Sequence, residues 1–462
     1  MKRRFLTFFV ITLLAISGAY GQKAKYVFYF IGDGMGLNHV NGTEMYGGAL
    51  EGRIGTLPLC FTQFPVTGVA TSYSASSPIT DSAAAGTALA TGYKTNNGSI
   101  GVDTDNKAVY SVAVKAKEAG KKVGIVTSVS VDHATPAAFY AHQLKRNMYY
   151  DISTDLPKAG FDFYAGSGFL KIKMDGKPSI FEVFDKAGYV VAKGYDDYKT
   201  KASAEKLILI QKDGKQSNAL PYAIDRNDDD LTLEQITKAA VESLTKKNKK
   251  GFFLMVEGGK IDWASHANDA ATAFHEVLDM DAAVKVAYEF YKKHPKETLI
   301  VVTADHETGG LGLARNGFSL NLKYLKNQEV SQDKLSLSVS NLRKEKNNKV
   351  SWEDIKTLLS DKLGLWNEVP VTWEQEKFLR DEYEISFVKN KVHFEETLYE
   401  KSEPIAAKAK EVINQTAGLG WTSGNHTSAY IPIFAIGAGA ELFKGKMDNI
   451  DLPKHIIKAA KY

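Results

Sequence analysis

The segment from Phe252 to His266 places three potential metal ligands, Glu257, Asp262 and His266, directly after an apolar run of five residues. Carboxylates are rarely left beside a core strand unless something positive compensates their charge. Asp262 and His266 are spaced i, i+4, so a helix starting here directs both to one face. Alone, the segment also reads as a polar strand-to-helix loop, but its pattern recurs. Asp33 follows the run Tyr26–Ile31. Asp132, His133 and Thr135 follow Val123–Val131, and Asp305 and His306 follow Thr298–Thr303. His426 stands just before Ile431–Ile436. Aspartate with histidine suits zinc, whereas carboxylate with hydroxyl oxygen suits magnesium. Asp33, Glu257, Asp262, His266, Asp305, His306 and His426 exceed one tetrahedral site, and neutralising so many acids calls for two or three metals. Paired metals about 4 Å apart stabilise the attacking and leaving oxygens of phosphoryl transfer.

Ser82, in Thr80-Asp81-Ser82-Ala83-Ala84-Ala85-Gly86, is the candidate nucleophile. The small residues after it predict a helix beginning at or beside the serine, whose free N–H groups favour an anion. The competing reading is a serine that only caps the helix. No G-x-S-x-G elbow is present, so Ser82 without a positioned base needs a metal to activate it. Arg146 can offer a bidentate fork to a phosphoryl group, although an isolated arginine is more often a surface residue. His142 and His275 lie within helical stretches away from strand ends and read as packing or hydrogen-bonding histidines rather than ligands. Cys60, the only cysteine, reads as a small buried apolar residue with no cation nearby in sequence to lower its pKa.

The elements that must position these groups are short, continuous apolar runs alternating with helical stretches, among them Ala83–Ala90, Val109–Ala119, Leu233–Thr245 and Ala270–Tyr291. Continuous strands separated by helices predict an α/β fold, with a mainly parallel central sheet covered by helices on both faces. In such sheets the site lies beyond the carboxyl ends of the strands, where the ligand candidates gather. Two stretches break the rhythm, about 148–227 and about 316–420, and are read as insertions on one domain spanning 22–462. The second is charged and largely helical. Ser351 with Asp354, and Thr372 with Gln375, resemble capping boxes within it.

Lys2, Arg3 and Arg4 precede the apolar run Phe5 to Ile16, with small residues after it. This is the order of a signal peptide over 1–21, cleaved after Gly21. An exported chain, periplasmic or secreted, is expected, with no membrane attachment after cleavage. The net charge of +4 owes three units to that segment, so the remainder carries +1 and gives no reason to expect nucleic-acid binding. At 462 residues with 44% hydrophobic content, a sizeable core is assured and disorder excluded.

Taken together, Gly32 to Gly36, Thr80 to Ala84, His133 to Ala137, Tyr140 to His142 with Arg146, Glu257 to His266, Thr303 to His306 and Gly424 to Thr427 resemble the alkaline phosphatase family. These segments run in family order from about Lys25 to the C-terminus, and 148–227 and 316–420 match only loosely. The resemblance implies two zinc ions, one on Asp262, His266 and His426, the other on Asp33, Asp305 and His306 and activating Ser82. It implies a third site on Asp33, Thr135 and Glu257 for magnesium, or for zinc given His133, since imidazole suits zinc. It further implies that Arg146 clamps phosphoryl oxygens, that Ser82 forms a phosphoserine, and that the chain is a homodimer acting on small phosphomonoesters at alkaline pH. His133 and Trp263 stand at positions that vary in the family near the phosphate. An indole N–H donates one hydrogen bond but carries no charge, so weaker retention of product phosphate is expected than with a lysine there.

The rival readings are a phosphodiesterase, sulfatase or mutase of the same superfamily, and a non-catalytic phosphate- or metal-binding protein. Ser82-Ala83-Ala84-Ala85 does not fit a sulfatase motif. Glu257 and Thr135 favour monoesters. A binding protein would not need Ser82.

Overall fold

A computed structural model describes residues 23–213, 218–315 and 317–462; the expected signal segment 1–21 lies outside them. Among the described residues, ten strands form one sheet: β1 (Tyr26–Gly32), β2 (Val66–Thr71), β3 (Lys122–Thr127), β4 (Phe163–Gly166), β5 (Val190–Lys193), β6 (Leu207–Ile210), β7 (Phe252–Gly258), β8 (Thr298–Ala304), β9 (Ile431–Gly437) and β10 (Gly445–Asp448). Their order is β10-β2-β9-β8-β1-β7-β3-β4-β6-β5. Only β9 runs against its neighbours, pairing antiparallel with β2 and β8. The sheet is therefore mainly parallel, as the unbroken apolar runs predict. β1, β7 and β8 are buried along their whole length, which is why they show no polar alternation.

The register of these three strands builds the site. Gly32 at the end of β1 lies opposite both Gly258 of β7 and Ala304 of β8. Asp33 and Asp305 therefore leave adjacent strands at one level, and Glu257, opposite Ile31, is the penultimate residue of a third strand beside them. Neighbouring strands lie about 4.8 Å apart, so the three carboxylates gather at one sheet edge. Helix α1 (Ser82–Thr91), helix α2 (Lys260–His266) and helix α3 (Ala270–Lys293) also start at this edge. α3 packs on β1, β7 and β8 beside Leu233–Thr245, while α1 packs with Val112–Glu118 and the C-terminal helix Asp451–Ala460.

The stretch 148–227 contributes β4, β5 and β6, which extend the sheet at one edge. Read from sequence as an insertion, it carries three strands of the central sheet. Its strands have only four residues each, too short to stand out as periodic runs. The stretch 316–420 is helical, as expected, with α4 (Gln332–Glu345), α5 (Trp352–Leu363), α6 (Trp373–Tyr383) and α7 (Pro404–Ala417). Both anticipated capping boxes are formed, on Ser351 and Thr372. These helices bury their own apolar cluster, including Leu335, Trp352, Leu359, Ile405 and Ile413. The cluster grips the sheet domain at α2: Lys410 donates to the Ala267 carbonyl at 2.6 Å and Asn414 to that of Asn268 at 2.7 Å. A cation on the open carbonyls of a helix C-terminus offsets its partial negative charge, here on the helix carrying Asp262 and His266. No helix among the described residues is long and apolar enough to cross a membrane.

Candidate active site

The ligand candidates from separate strand ends converge into three buried groups suited to a metal ion: Asp262 with His266 and His426, Asp33 with Asp262 and His306, and Asp33 with His133 and Glu257. In the first, His266 Nδ1 lies 2.6 Å from the Gly424 carbonyl and His426 Nδ1 lies 2.8 Å from that of Thr80. A carbonyl only accepts, so each Nδ1 carries the proton and each Nε2 presents a lone pair. Those two Nε2 atoms are 3.1 Å apart and face Asp262, at 3.4 Å from Oδ2 and 3.5 Å from Oδ1. Two imidazole lone pairs and a carboxylate converging on one point form a cation site.

In the second group His306 Nε2 stands 3.3 Å from Asp33 Oδ1 and 3.2 Å from Asp305 Oδ2. Asp305 thus sits beside this group, with its Oδ1 accepting from the Gly34 and His306 amides at 3.1 and 2.9 Å. Thr308 donates to Asp262 Oδ1 at 2.5 Å. Gly34 has φ of +72°, and a Cβ there would stand 2.8 Å from the Asp262 Cα, so only glycine lets the two ligand segments approach. In the third group Thr127 donates to Glu257, and Thr135 donates to Asp33 Oδ2 at 3.4 Å.

The electrostatics fit metal ions. Asp33 Oδ1, Glu257 Oε1, Asp262 Oδ2, Asp305 Oδ2 and His133 Nδ1 are all buried without a hydrogen-bond partner. Orphaned buried polar atoms are rare, and five in one place indicate a missing cationic partner. Burial, then repulsion from neighbouring carboxylates, pushes the Asp33 and Asp305 carboxyls well above the usual range. Burial opposes ionisation of Asp262 too, but attraction from His266, whose own proton affinity Asp262 raises, outweighs it and holds that carboxyl well below the usual range. Burial lowers His306 and His426, and takes His133 down to about 3 with help from Arg146. These imidazoles are therefore neutral, the form that ligates metal.

Ser82 is the first residue of α1 and is fully buried, with its Oγ 3.3 Å from His306 Nε2. It does not cap the helix. Asp81 does, accepting from the Ala84 amide at 3.0 Å, which frees the serine hydroxyl to face the ligand groups. Asp81 also accepts from Arg146 Nη1 at 3.3 Å and so ties the arginine to the serine helix. Arg146 further contacts His133 Nε2 at 3.4 Å and donates to the Tyr399 hydroxyl at 3.2 Å. Burial alone would weaken its charge, but Tyr399 and Asp81 hold the guanidinium firmly protonated. Trp263 is buried on α2, its Nε1 without a partner and its ring stacked on Tyr399. A cavity of about 570 Å³ lined by Asp81, His133, Arg146, Tyr149, Trp263 and Tyr399 opens beside these groups.

Sequence reading missed Asp81 and Tyr399. The N-cap preference of aspartate could have found the first. His142 and His275 bond to the carbonyls of Gly101 and Ala271; His275 lies in α3 as expected, whereas His142 lies in a loop between helices and not within one.

The model of the alkaline phosphatase family matches residues 24–167 and 197–462. The chain belongs to the alkaline phosphatase family. The match runs through the helical stretch 316–420 and omits 168–196, which lies within the sheet-extending stretch. Alkaline phosphatase 3 of Bacillus subtilis is 32% identical over 450 residues, covering 96% of this chain and 90% of that protein. A cold-active alkaline phosphatase from a psychrophilic Shewanella superposes with a TM-score of 0.79 at 28% identity, covering 94% of this chain and 99% of that one. A TAB5 alkaline phosphatase variant, with a histidine replaced by aspartate and magnesium in its M3 site, superposes with a TM-score of 0.66 at 26% identity, covering 96% and 99% of the two chains. This family member is thus an enzyme with an alkaline-phosphatase-like fold, and its buried acid and histidine groups are suited to metals.

Proposed function

We propose that the protein hydrolyses phosphate monoesters through a phosphoserine on Ser82. The observation that carries this reading is the Ser82 hydroxyl, released from capping by Asp81 at a helix N-terminus and 3.3 Å from His306. Asp262, His266 and His426 would hold one zinc, and Asp33, Asp305 and His306 the second, with Asp262 close by. Asp33, Glu257 and Thr135 would hold a third ion together with His133, whose imidazole favours zinc over the magnesium held by the TAB5 variant. Bound there, the ions would supply Lewis acidity that lowers the hydroxyl pKa of serine and water and offsets charge on the leaving oxygen, hence the alkaline optimum. The chain's own residues do the rest. The first amides of α1 favour an anion at Ser82. Arg146 offers its fork to two phosphoryl oxygens, anchored by Asp81. His306 lies against the serine hydroxyl; its oxygen attacks phosphorus as the ester P–O bond breaks and the alcohol leaves, and water then cleaves the phosphoserine to release phosphate and restore the hydroxyl.

The protein is read as exported to the periplasm or medium after loss of residues 1–21. It is one α/β domain over 22–462 carrying additions at about 148–227 and 316–420, and a homodimer acting on small phosphomonoesters. A monoesterase should turn over p-nitrophenyl phosphate faster than bis-p-nitrophenyl phosphate, with zinc present in the purified protein; faster diester turnover would replace this reading with a phosphodiesterase.

Trp263 lines the same cavity as Arg146 but brings no charge to it. Trp263→Lys should tighten inhibition by inorganic phosphate about tenfold, since a charged hydrogen bond contributes about 1.5 kcal/mol. An unchanged inhibition constant would remove Trp263 from the product site.

A further inference from the structure

Tyr399 lies at the tip of a small hairpin in which Glu395–Glu396 pairs antiparallel with Lys401–Ser402, just before α7. The hairpin is firmly seated. Arg343 makes three bonds of 3.0 to 3.2 Å to Glu403 at its base. Gln332 donates to Ser402 at 3.0 Å, and Tyr222 donates to Glu400 at 2.5 Å. These anchors carry the tip across to residues more than a hundred positions away in sequence. The Tyr399 ring stacks on the Trp263 indole at 4.4 Å and 11° between planes, and lies against the imidazoles of His133 at 5.8 Å and His266 at 5.5 Å. Its hydroxyl accepts from Arg146 Nη2 at 3.2 Å, while the other two side-chain contacts of Arg146 are longer, at 3.3 and 3.4 Å.

A guanidinium on a flexible stem loses considerable freedom when it engages a phosphoryl group, so a pre-placed fork binds more tightly. Asp81 acts on one terminal nitrogen of that fork and Tyr399 on the other, and the stack on Trp263 fixes where the Tyr399 hydroxyl can stand. We propose that Tyr399 is a positioning residue for the phosphoryl clamp: the helical addition reaches into the active site to hold Arg146 in its binding orientation. This rests on the reading of Arg146 as the phosphoryl-binding group.

Tyr399→Phe removes the hydroxyl and keeps the stack. It should raise both KM for p-nitrophenyl phosphate and the inhibition constant of inorganic phosphate about fivefold, with kcat changed less than twofold. In an Arg146→Ala background the same substitution should add nothing, because its effect passes through the arginine. An unchanged KM and inhibition constant, or an equal rise in the Arg146→Ala background, would overturn the proposal while leaving the phosphatase reading intact. Wild-type protein that left the ester uncleaved would overturn the phosphatase reading, and this proposal with it.

Discussion

Ser82→Ala should lower kcat by about a thousandfold or more while leaving the bound metal unchanged. The serine hydroxyl combines burial, a helix N-terminus and contact with a ligand-type imidazole, and among the described residues it is the one hydroxyl with such a contact at the start of α1. Its loss removes the bond-forming atom but no proposed ligand. Asp81 caps α1 independently, so the helix should remain formed and the melting temperature should stay within a few degrees. Full turnover by the variant would make Ser82 a bystander, and loss of metal together with activity would give it a structural role. Metal analysis and a melting curve on the same preparation separate these outcomes.

Chelation should abolish turnover and lower the melting temperature by about 10 °C, since each ion held at a thousandfold over its Kd contributes about 4 kcal/mol. The effect should grow with pH. In the metal-free protein burial pushes Glu257 up to about 7 from its ordinary 4.5, with Asp262 adding repulsion, and moves Asp33 and Asp305 further upward. A carboxyl raised by folding stabilises the fold below its unfolded pKa, and that contribution is lost as pH rises through the folded one. For Glu257 the window runs from 4.5 to about 7. The depressed imidazoles of His133, His306 and His426 act in the opposite sense, but only below about their ordinary 6.5, so the raised carboxyls prevail. Chelated protein should therefore be more stable at pH 5 than at pH 8.5, and added zinc should restore more stability at the higher pH. A metal-free protein as stable at pH 8.5 as at pH 5 would show that cations are not what compensates these acids.

Much of this was legible in sequence because β1, β7 and β8 are buried on both faces. Their composition is almost wholly Tyr, Phe, Val, Ile, Leu and Met, with threonine near the ends of β8, so the first acidic residue at the end of each run marks the sheet edge, and Asp33 and Asp305 identify themselves. The i, i+4 spacing of Asp262 and His266 survives because α2 is helical across it. Two features were opaque for different reasons. β4, β5 and β6 are four-residue strands, shorter than a hydrophobic period can reveal. Tyr399 sits in a charged segment whose neighbours form surface hairpin and helix ends, and its partners Arg146 and Trp263 are brought near only by tertiary packing of the helical cluster. Asp81 was visible, but its neighbour Ser82 offered the same capping chemistry, and only geometry distinguishes the two.

The central claim is a covalent phosphoserine on Ser82. Acid-quenching wild-type protein during turnover of a phosphomonoester, followed by mass mapping of its peptides, should place one phosphate on the peptide containing Ser82, and none on that of Ser82→Ala. Phosphate on another residue, or steady turnover with no phosphorylated Ser82 at any quench pH, would contradict it.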